Sequence, residues 1–269
     1  MDLSNPGISG QTVSHCIICD RIPAPSAPRR GANGQMRLAY SRPGNAEELR
    51  QMAALASAYG FEGVQPKGTQ FTPWVDAGVA PAVDNAMGVI VYGVDEGAIR
   101  ETLRWAASHE LPIVTWVAGW KRDAVAREEA ADILTRLGRD ARAYGTALSL
   151  HHHAGAVFES GEDLAALRDM TQPDDVTLTL DTAHAALGGI TDIPRLILES
   201  RETIDLFHIK DLAGGGFCAL GRGELDFAPI FKAIRDIRFD GWLVIDDESG
   251  DMAAEAAMAH AESFLQRHL

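Results

Sequence analysis

From Met36 to Leu269, short apolar runs alternate with stretches in which apolar residues recur at every third or fourth position. This is the pattern of strands followed by amphipathic helices in repeated βα units. A first strand is predicted from Met36 to Tyr40, then a helix capped at Asn45, with Leu49, Met52, Ala56 and Tyr59 on its apolar face and a stop at Gly60. Gly63-Val64-Gln65 reads as the second strand. Lys67 to Asn85 carries Gly, Pro and Thr with little periodicity, so the second helix is expected to be short or replaced by loop. The third strand is Gly88 to Tyr92 and the fourth Pro112 to Trp116, joined by a helix that uses Ile99, Leu103 and Ala106. A long helix from about Ala124 to Tyr144 precedes the fifth strand, Ala147 to Leu150. Ser160 and Asp163 then cap a helix carrying Leu164, Leu167 and Met170. Val176 to Leu180, Ile204 to Ile209 and Trp242 to Ile245 complete the strands. Asp226 and Pro229 start the helix between the last two, and Met252 to Leu265 forms the final helix.

Eight strands in this rhythm predict an α/β chain folded as a single (β/α)8 TIM barrel over residues 36–269. An open doubly wound sheet is the alternative, but Ser41-Arg42-Pro43-Gly44 stands where its Gly-rich phosphate turn would be. Residues 1–35, with Pro23, Pro25 and Pro28 crowded together, show neither period and are expected to form an irregular, poorly ordered N-terminal extension.

The 269 residues are 46% apolar, enough to fill a barrel core. With 38 acidic against 24 basic side chains, the formal charge of −14 repels phosphate backbones and anionic lipid. A nucleic-acid or membrane partner is therefore not expected. No apolar run approaches the roughly 20 residues of a bilayer span, and no basic segment leads into an apolar one at the start, so the cytoplasm is the expected location. Three cysteines, Cys16, Cys19 and Cys218, fit a reducing compartment rather than a disulfide framework. Cys16-Ile17-Ile18-Cys19 after His15 has the spacing of half a zinc site. No second cysteine pair follows to close a tetrahedral set, so it reads as a free thiol pair.

In a parallel barrel the active site lies at the C-terminal ends of the strands. The fifth strand here ends in His151-His152-His153 and the sixth in Asp181-Thr182-Ala183-His184. The seventh ends in His208-Ile209-Lys210-Asp211 and the eighth in Asp246-Asp247-Glu248. Any one of these polar residues fits the ordinary role of capping a helix or bonding a loop. Four successive strand ends together supply a ring of imidazole nitrogens and carboxylate oxygens, the surroundings that one divalent cation with open positions for substrate oxygens requires. Mixed nitrogen and oxygen donors suit Mn, Co or Zn better than Mg.

The segments LSLHHHAG, LTLDTAHAALGG, DLFHIKDL, LGRGELDF and GWLVIDDES, in that order, resemble the strand-end motifs of the xylose isomerase-like barrels. That family includes sugar isomerases and epimerases, hydroxypyruvate isomerase, inosose dehydratase and endonuclease IV, and the triple histidine looks most like inosose dehydratase. The resemblance implies a metal held by Asp181 and His208, with His184 and Lys210 contacting substrate oxygens. It also implies His151 and Asp246 as the remaining ligands, at positions where many isomerases of the family carry glutamates that serve as both ligands and acid–base pair. A symmetrical two-glutamate mechanism is therefore not expected. Dimers or tetramers are a further implication.

The chemistry this suggests is proton transfer next to the carbonyl of a small polyhydroxylated substrate, through an enediolate. Glu248, His153 and His184 are the candidate proton carriers, and Lys210 is placed to stabilise the oxyanion. His152, Arg222 in the Gly221-Arg222-Gly223 turn, Trp116 and Lys67 are expected to contact substrate. Trp120 and Trp74 are secondary candidates for the pocket wall, and Gln65 joins Lys67 at the end of the second strand. Reprotonation at the neighbouring carbon makes the enzyme an isomerase and reprotonation on the opposite face an epimerase. Loss of a β-hydroxyl makes it a dehydratase of a keto-polyol such as an inosose. The first pair is the leading expectation and the lyase the alternative. A barrel that binds sugar without turning it over is a third reading, and a repair nuclease is disfavoured by the charge.

Overall fold

The computed structural model describes residues 36–269. The expected extension over residues 1–35, with Cys16 and Cys19, lies outside them. Strands β1 (Arg37–Ser41), β2 (Gly63–Val64), β3 (Val89–Gly93), β4 (Ile113–Ala118), β5 (Ala147–His151), β6 (Thr177–Asp181) and β7 (Ile204–Ile209) follow one another, separated by helices. A small antiparallel hairpin, β8 (Asp211–Ala213) with β9 (Gly216–Cys218), comes next, and β10 (Trp242–Asp246) is the last strand. The large sheet is parallel throughout, in the order β2-β1-β10-β7-β6-β5-β4-β3. Its two ends meet through the parallel bridges Val64 to Ala86 and Lys67 to Ile90, with Met87 and Ile90 amides donating to the Val64 and Pro66 carbonyls. The sheet therefore closes into an eight-stranded barrel.

The helices are α1 (Ala46–Ala56), α2 (Thr72–Ala77), α3 (Glu96–Ser108), α4 (Arg127–Tyr144), α5 (Gly161–Met170), α6 (Thr182–Leu187), α7 (Ile193–Glu199), α8 (Phe227–Asp236) and α9 (Ala254–Leu265). Their starts follow the side chains the sequence offers. Asn45 accepts from the Glu47 and Glu48 amides in a capping box, Ser160 and Asp163 form another, and Asp226 caps α8. The weak second helix is the six-residue α2. The expected helix from Ala124 begins at Arg127 and the final one at Ala254, because backbone turns precede both. Gly138 lets α4 lie against the turn before β6: a Cβ there would stand 1.6 Å from the Asp175 carbonyl oxygen.

Alternation along each strand divides the core in two. Outside the barrel wall, residues such as Val114, Trp116, Leu148, Leu150, Phe207 and Leu243 pack under the helices. Inside, Ala39, Met87, Ile113, Leu206, Trp242 and Val244 form a separate apolar plug. Next to it lies a polar layer. Thr115 receives a hydrogen bond from Gln65, Thr179 bonds Ser149 at 2.7 Å, and Ser149 donates to Asp205 at 2.7 Å. Asp205 is the extra residue of a register shift between β6 and β7, and Thr177 donates to its other oxygen.

Burial pushes the Asp205 carboxyl up to about 7, even though the hydroxyls of Thr177 and Ser149 pull the other way. A carboxyl with a raised folded-state pKa contributes stability that is full below its unfolded value and is lost as pH climbs through the folded one. The stability of wild type relative to Asp205→Asn is therefore expected to fall between pH 4 and 7 by on the order of 2–4 kcal/mol. Urea denaturation of both proteins across that range measures it, and a flat difference would contradict the assignment.

Candidate metal centre

Two residues above Ser149, Thr179, Leu206 and Val244, the same alternation carries His151, Asp181, His208 and Asp246 into the upper mouth of the barrel. All four are buried, and one ligand-type atom from each lies within 4.8 Å of the others. Asp181 Oδ2 is 3.4 Å from His151 Nε2 and 3.8 Å from His208 Nδ1, and His208 Nδ1 is 3.5 Å from Asp246 Oδ2. Asp181 Oδ2 and His208 Nδ1 are buried without any hydrogen bond, which is costly unless a cation or its equivalent faces them. Two imidazoles and two carboxylates around one point fit Mn, Co or Zn.

Two lysines share this space. Lys210 Nζ lies 2.6 Å from Asp246 Oδ2, 3.4 Å from Asp181 Oδ2 and 2.8 Å from Glu248 Oε2. Lys67 Nζ pairs with Asp246 and lies 2.6 Å from Glu248 Oε1. Burial alone would discharge every one of these groups, but their mutual attraction outweighs it. Asp181 and Asp246 are held well below the usual carboxylate range and Glu248 below it, while Lys67 is raised and Lys210 well raised. Three carboxylates against two ammoniums leave a net negative mouth.

The histidines run the other way. Burial pushes His208 down to about 4, His152 to about 3 and His184 to about 2, and it lowers His153 as well. These four rings are neutral at pH 7, the form in which an imidazole binds metal or accepts a proton. His153 and His184 have ring centroids 3.9 Å apart, and His184 sits 5.4 Å from His151. Phe217, on the hairpin, covers this corner: its ring is 4.5 Å from Lys210 Nζ and 5.3 Å from His184. Neither the hairpin nor Phe217 stood out in the sequence, since Ala213-Gly214-Gly215-Gly216 has no strand period. Tyr92, at the end of β3, also feels Lys67, Asp246 and Glu248 electrostatically.

Several expected site residues are placed elsewhere. His152 does not face the mouth: its ring is 1% exposed, and Nε2 accepts the Asp181 backbone N–H at 3.1 Å, tying β5 to β6. Trp116 is fully buried outside the wall because its neighbour Thr115 points inward, and its Nε1–H donates to the Gly93 carbonyl. Trp120 packs edge-on against Trp116, and Trp74 packs near Trp105. Arg222 stands exposed on its turn. The turn itself is held by Asp211, which accepts the backbone N–H groups of Leu212, Gly221, Gly223 and Leu225. Asp247 is likewise turned away from the mouth, bonded by the Tyr40 hydroxyl and the Arg42 guanidinium at 2.7 Å each.

A family model described as a xylose isomerase-like TIM barrel matches residues 95–268. The chain belongs to that family. The inosose dehydratase of Lacticaseibacillus casei is 34% identical over 140 residues, which is 45% of this chain and 47% of that protein. The chain thus aligns with about half the length of the curated relative it matches. Among solved structures, an L-ribulose 3-epimerase superposes with a TM-score of 0.69 at 19% identity, over 87% of this chain and 95% of its own. The IOLI protein with a bound zinc atom superposes at 0.66 and 15% identity, over 87% and 99%. At those identities the structural likeness establishes the barrel. Among the described residues, no helix is long and apolar enough to cross a membrane.

Asp181 also caps α6, its Oδ1 accepting the His184 N–H at 2.8 Å. Asp181→Asn keeps that cap and removes the charge. Metal analysis after dialysis is expected to show near-stoichiometric Zn, Co or Mn in wild type and almost none in this variant, with the melting temperature shifted little. Equal metal content in both would refute the assignment.

Proposed function

We propose that this xylose isomerase-like barrel is a metal-dependent lyase that removes water from a small keto-polyol of the inosose kind. The observation that carries the reading is the inequality of the proton carriers around the mouth. Epimerisation or isomerisation by two carriers needs matched acceptors on two sides of the substrate. Here Glu248 is bound by both lysines, whereas His153 has a free acceptor of its own. Its Nδ1 lies 2.8 Å from the Ala154 carbonyl oxygen and can only donate to it, so the neutral ring keeps a bare lone pair on Nε2. His184 is the complement. Its Nδ1 accepts the Ala154 N–H at 3.5 Å, which leaves the proton on Nε2, ready to donate to a substrate oxygen.

A divalent ion held by His151, Asp181, His208 and Asp246 would supply the positive charge that acidifies the C–H next to a bound carbonyl. His153 Nε2 takes the proton from that carbon, whose electron pair enters an enediolate. The Lys210 and Lys67 ammoniums, kept charged by their carboxylates, hold its oxygens. The electron pair then forms the carbon–carbon double bond as the β C–O bond breaks. The departing hydroxide takes the proton back from the His153 imidazolium and leaves as water. Phe217 and the hairpin shield this corner from bulk solvent. The dehydratase relative supports the choice of substrate class.

Isomerisation or epimerisation of a ketose is the second reading. It is favoured by Glu248, part-exposed near the end of β10, three positions from β5 in the strand order. If substrate oxygens draw the lysines away, Glu248 and His153 become a pair of carriers on two sides.

Inososes and ketoses offered in deuterated water and followed by NMR separate these outcomes. Loss of water to give an unsaturated or diketo product is expected, with His153→Ala lowering kcat by about 10²–10⁴-fold while metal content is unchanged. Deuterium entering a rearranged ketose without loss of water would favour the second reading. No turnover by the metal-loaded protein would mark a sugar-binding barrel without catalysis.

A further inference from the structure

His208 presents Nδ1 to the carboxylates of Asp181 and Asp246, at 3.8 and 3.5 Å. Left to these neighbours, the single proton of the neutral ring would settle on Nδ1, where two carboxylates attract it, and the nitrogen facing the centre would have no lone pair to offer. The opposite nitrogen, Nε2, lies 2.9 Å from Gln65 Oε1. Gln65 is fully buried, and its amide nitrogen donates to Thr115 Oγ1 at 2.9 Å.

An amide can be turned over, so its orientation must come from what surrounds it. Here it follows from the far end of a chain of hydroxyls. The ionised Asp205 carboxylate only accepts, so Ser149, 2.7 Å away, must donate to it. Ser149 then has only a lone pair for Thr179, at 2.7 Å, and Thr179 donates. Thr179 in turn offers a lone pair to Thr115, at 3.5 Å, leaving Thr115 to accept from Gln65. With its NH2 committed to Thr115, Gln65 turns its oxygen to His208, and that oxygen can only accept.

We infer that Gln65 is a positioning residue: oriented by the inner hydroxyl chain that ends on Asp205, it keeps the His208 proton on Nε2 and so holds Nδ1 bare toward the metal centre. The inference rests on the metal-site reading but not on which reaction the enzyme performs. It assigns work to four residues, Thr115, Ser149, Thr179 and Asp205, that otherwise form an unexplained polar layer in the barrel.

The test uses the metal-free protein, so it stands apart from turnover. Long-range 15N–1H NMR at pH 8, above the value of about 7 to which Asp205 is raised, reads the protonated nitrogen of His208 directly. Wild type is expected to show Nε2–H. Gln65→Met, of similar length but with no acceptor, is expected to move the proton to Nδ1 and to weaken zinc binding in calorimetry by about 10–100-fold. Gln65→Glu restores an acceptor and is expected to return the Nε2–H form. Thr115→Val, which frees the amide, is expected to give a mixture of the two. Wild type protonated on Nδ1, or Gln65→Met unchanged in tautomer, would overturn the inference. Loss of catalysis with the tautomer as expected would instead count against the proposed reaction alone.

Discussion

A closed barrel of eight strands is too narrow for a water-filled lumen, so each inward side chain must either fill apolar space or find a polar partner. The rest of the structure follows from this constraint. The apolar plug of Leu206, Trp242, Val244 and Ile113 fills part of the interior, and a hydroxyl layer satisfies itself through Thr115, Thr179 and Ser149. At the mouth, where strands end and loops begin, charges that could not be buried singly are buried as a set.

That set is balanced by attraction rather than by solvent. Lys67 and Lys210 neutralise most of the charge on Asp181, Asp246 and Glu248, which lets two carboxylates lie almost fully buried. The same burial that would discharge a lone carboxylate keeps the imidazoles neutral. The result is a mouth with ionised oxygens on one side and neutral nitrogens on the other. Metal binding and proton abstraction both need that separation, because a protonated imidazole can neither ligate a metal nor accept a proton.

The candidate proton carriers differ through backbone contacts more than through their own chemistry. His153 and His184 are both neutral imidazoles, but one meets a carbonyl and the other an amide of the same residue, Ala154, and so they expose opposite faces, acceptor and donor. Glu248, the carboxylate among the candidate proton carriers, is engaged by both lysines. A barrel whose pattern departs at His151 and Asp246 can in this way keep enolising chemistry while shifting the base from a carboxylate to a ring.

The succession and approximate position of the eight barrel strands, the short second helix, the caps at Asn45, Ser160 and Asp226, and the gathering of His and Asp at four strand ends were all legible in the sequence. Each is a local matter of period or of neighbours within a turn. So was the convergence of these four strand ends, because parallel strands place equivalent ends on one rim, while the choice of His151, Asp181, His208 and Asp246 among them came from the family resemblance. The inward or outward sense of consecutive strand-end residues was not legible. His152, Asp247 and Trp116 turn away from the mouth while their neighbours turn into it, and strand register, fixed by pairing between distant segments, decides which. The hydroxyl chain from Gln65 to Asp205 joins residues from β4, β5, β6 and β7 with one just beyond β2, none within a turn of another. Such a chain exists only once the sheet has closed, and only tertiary structure could decide it.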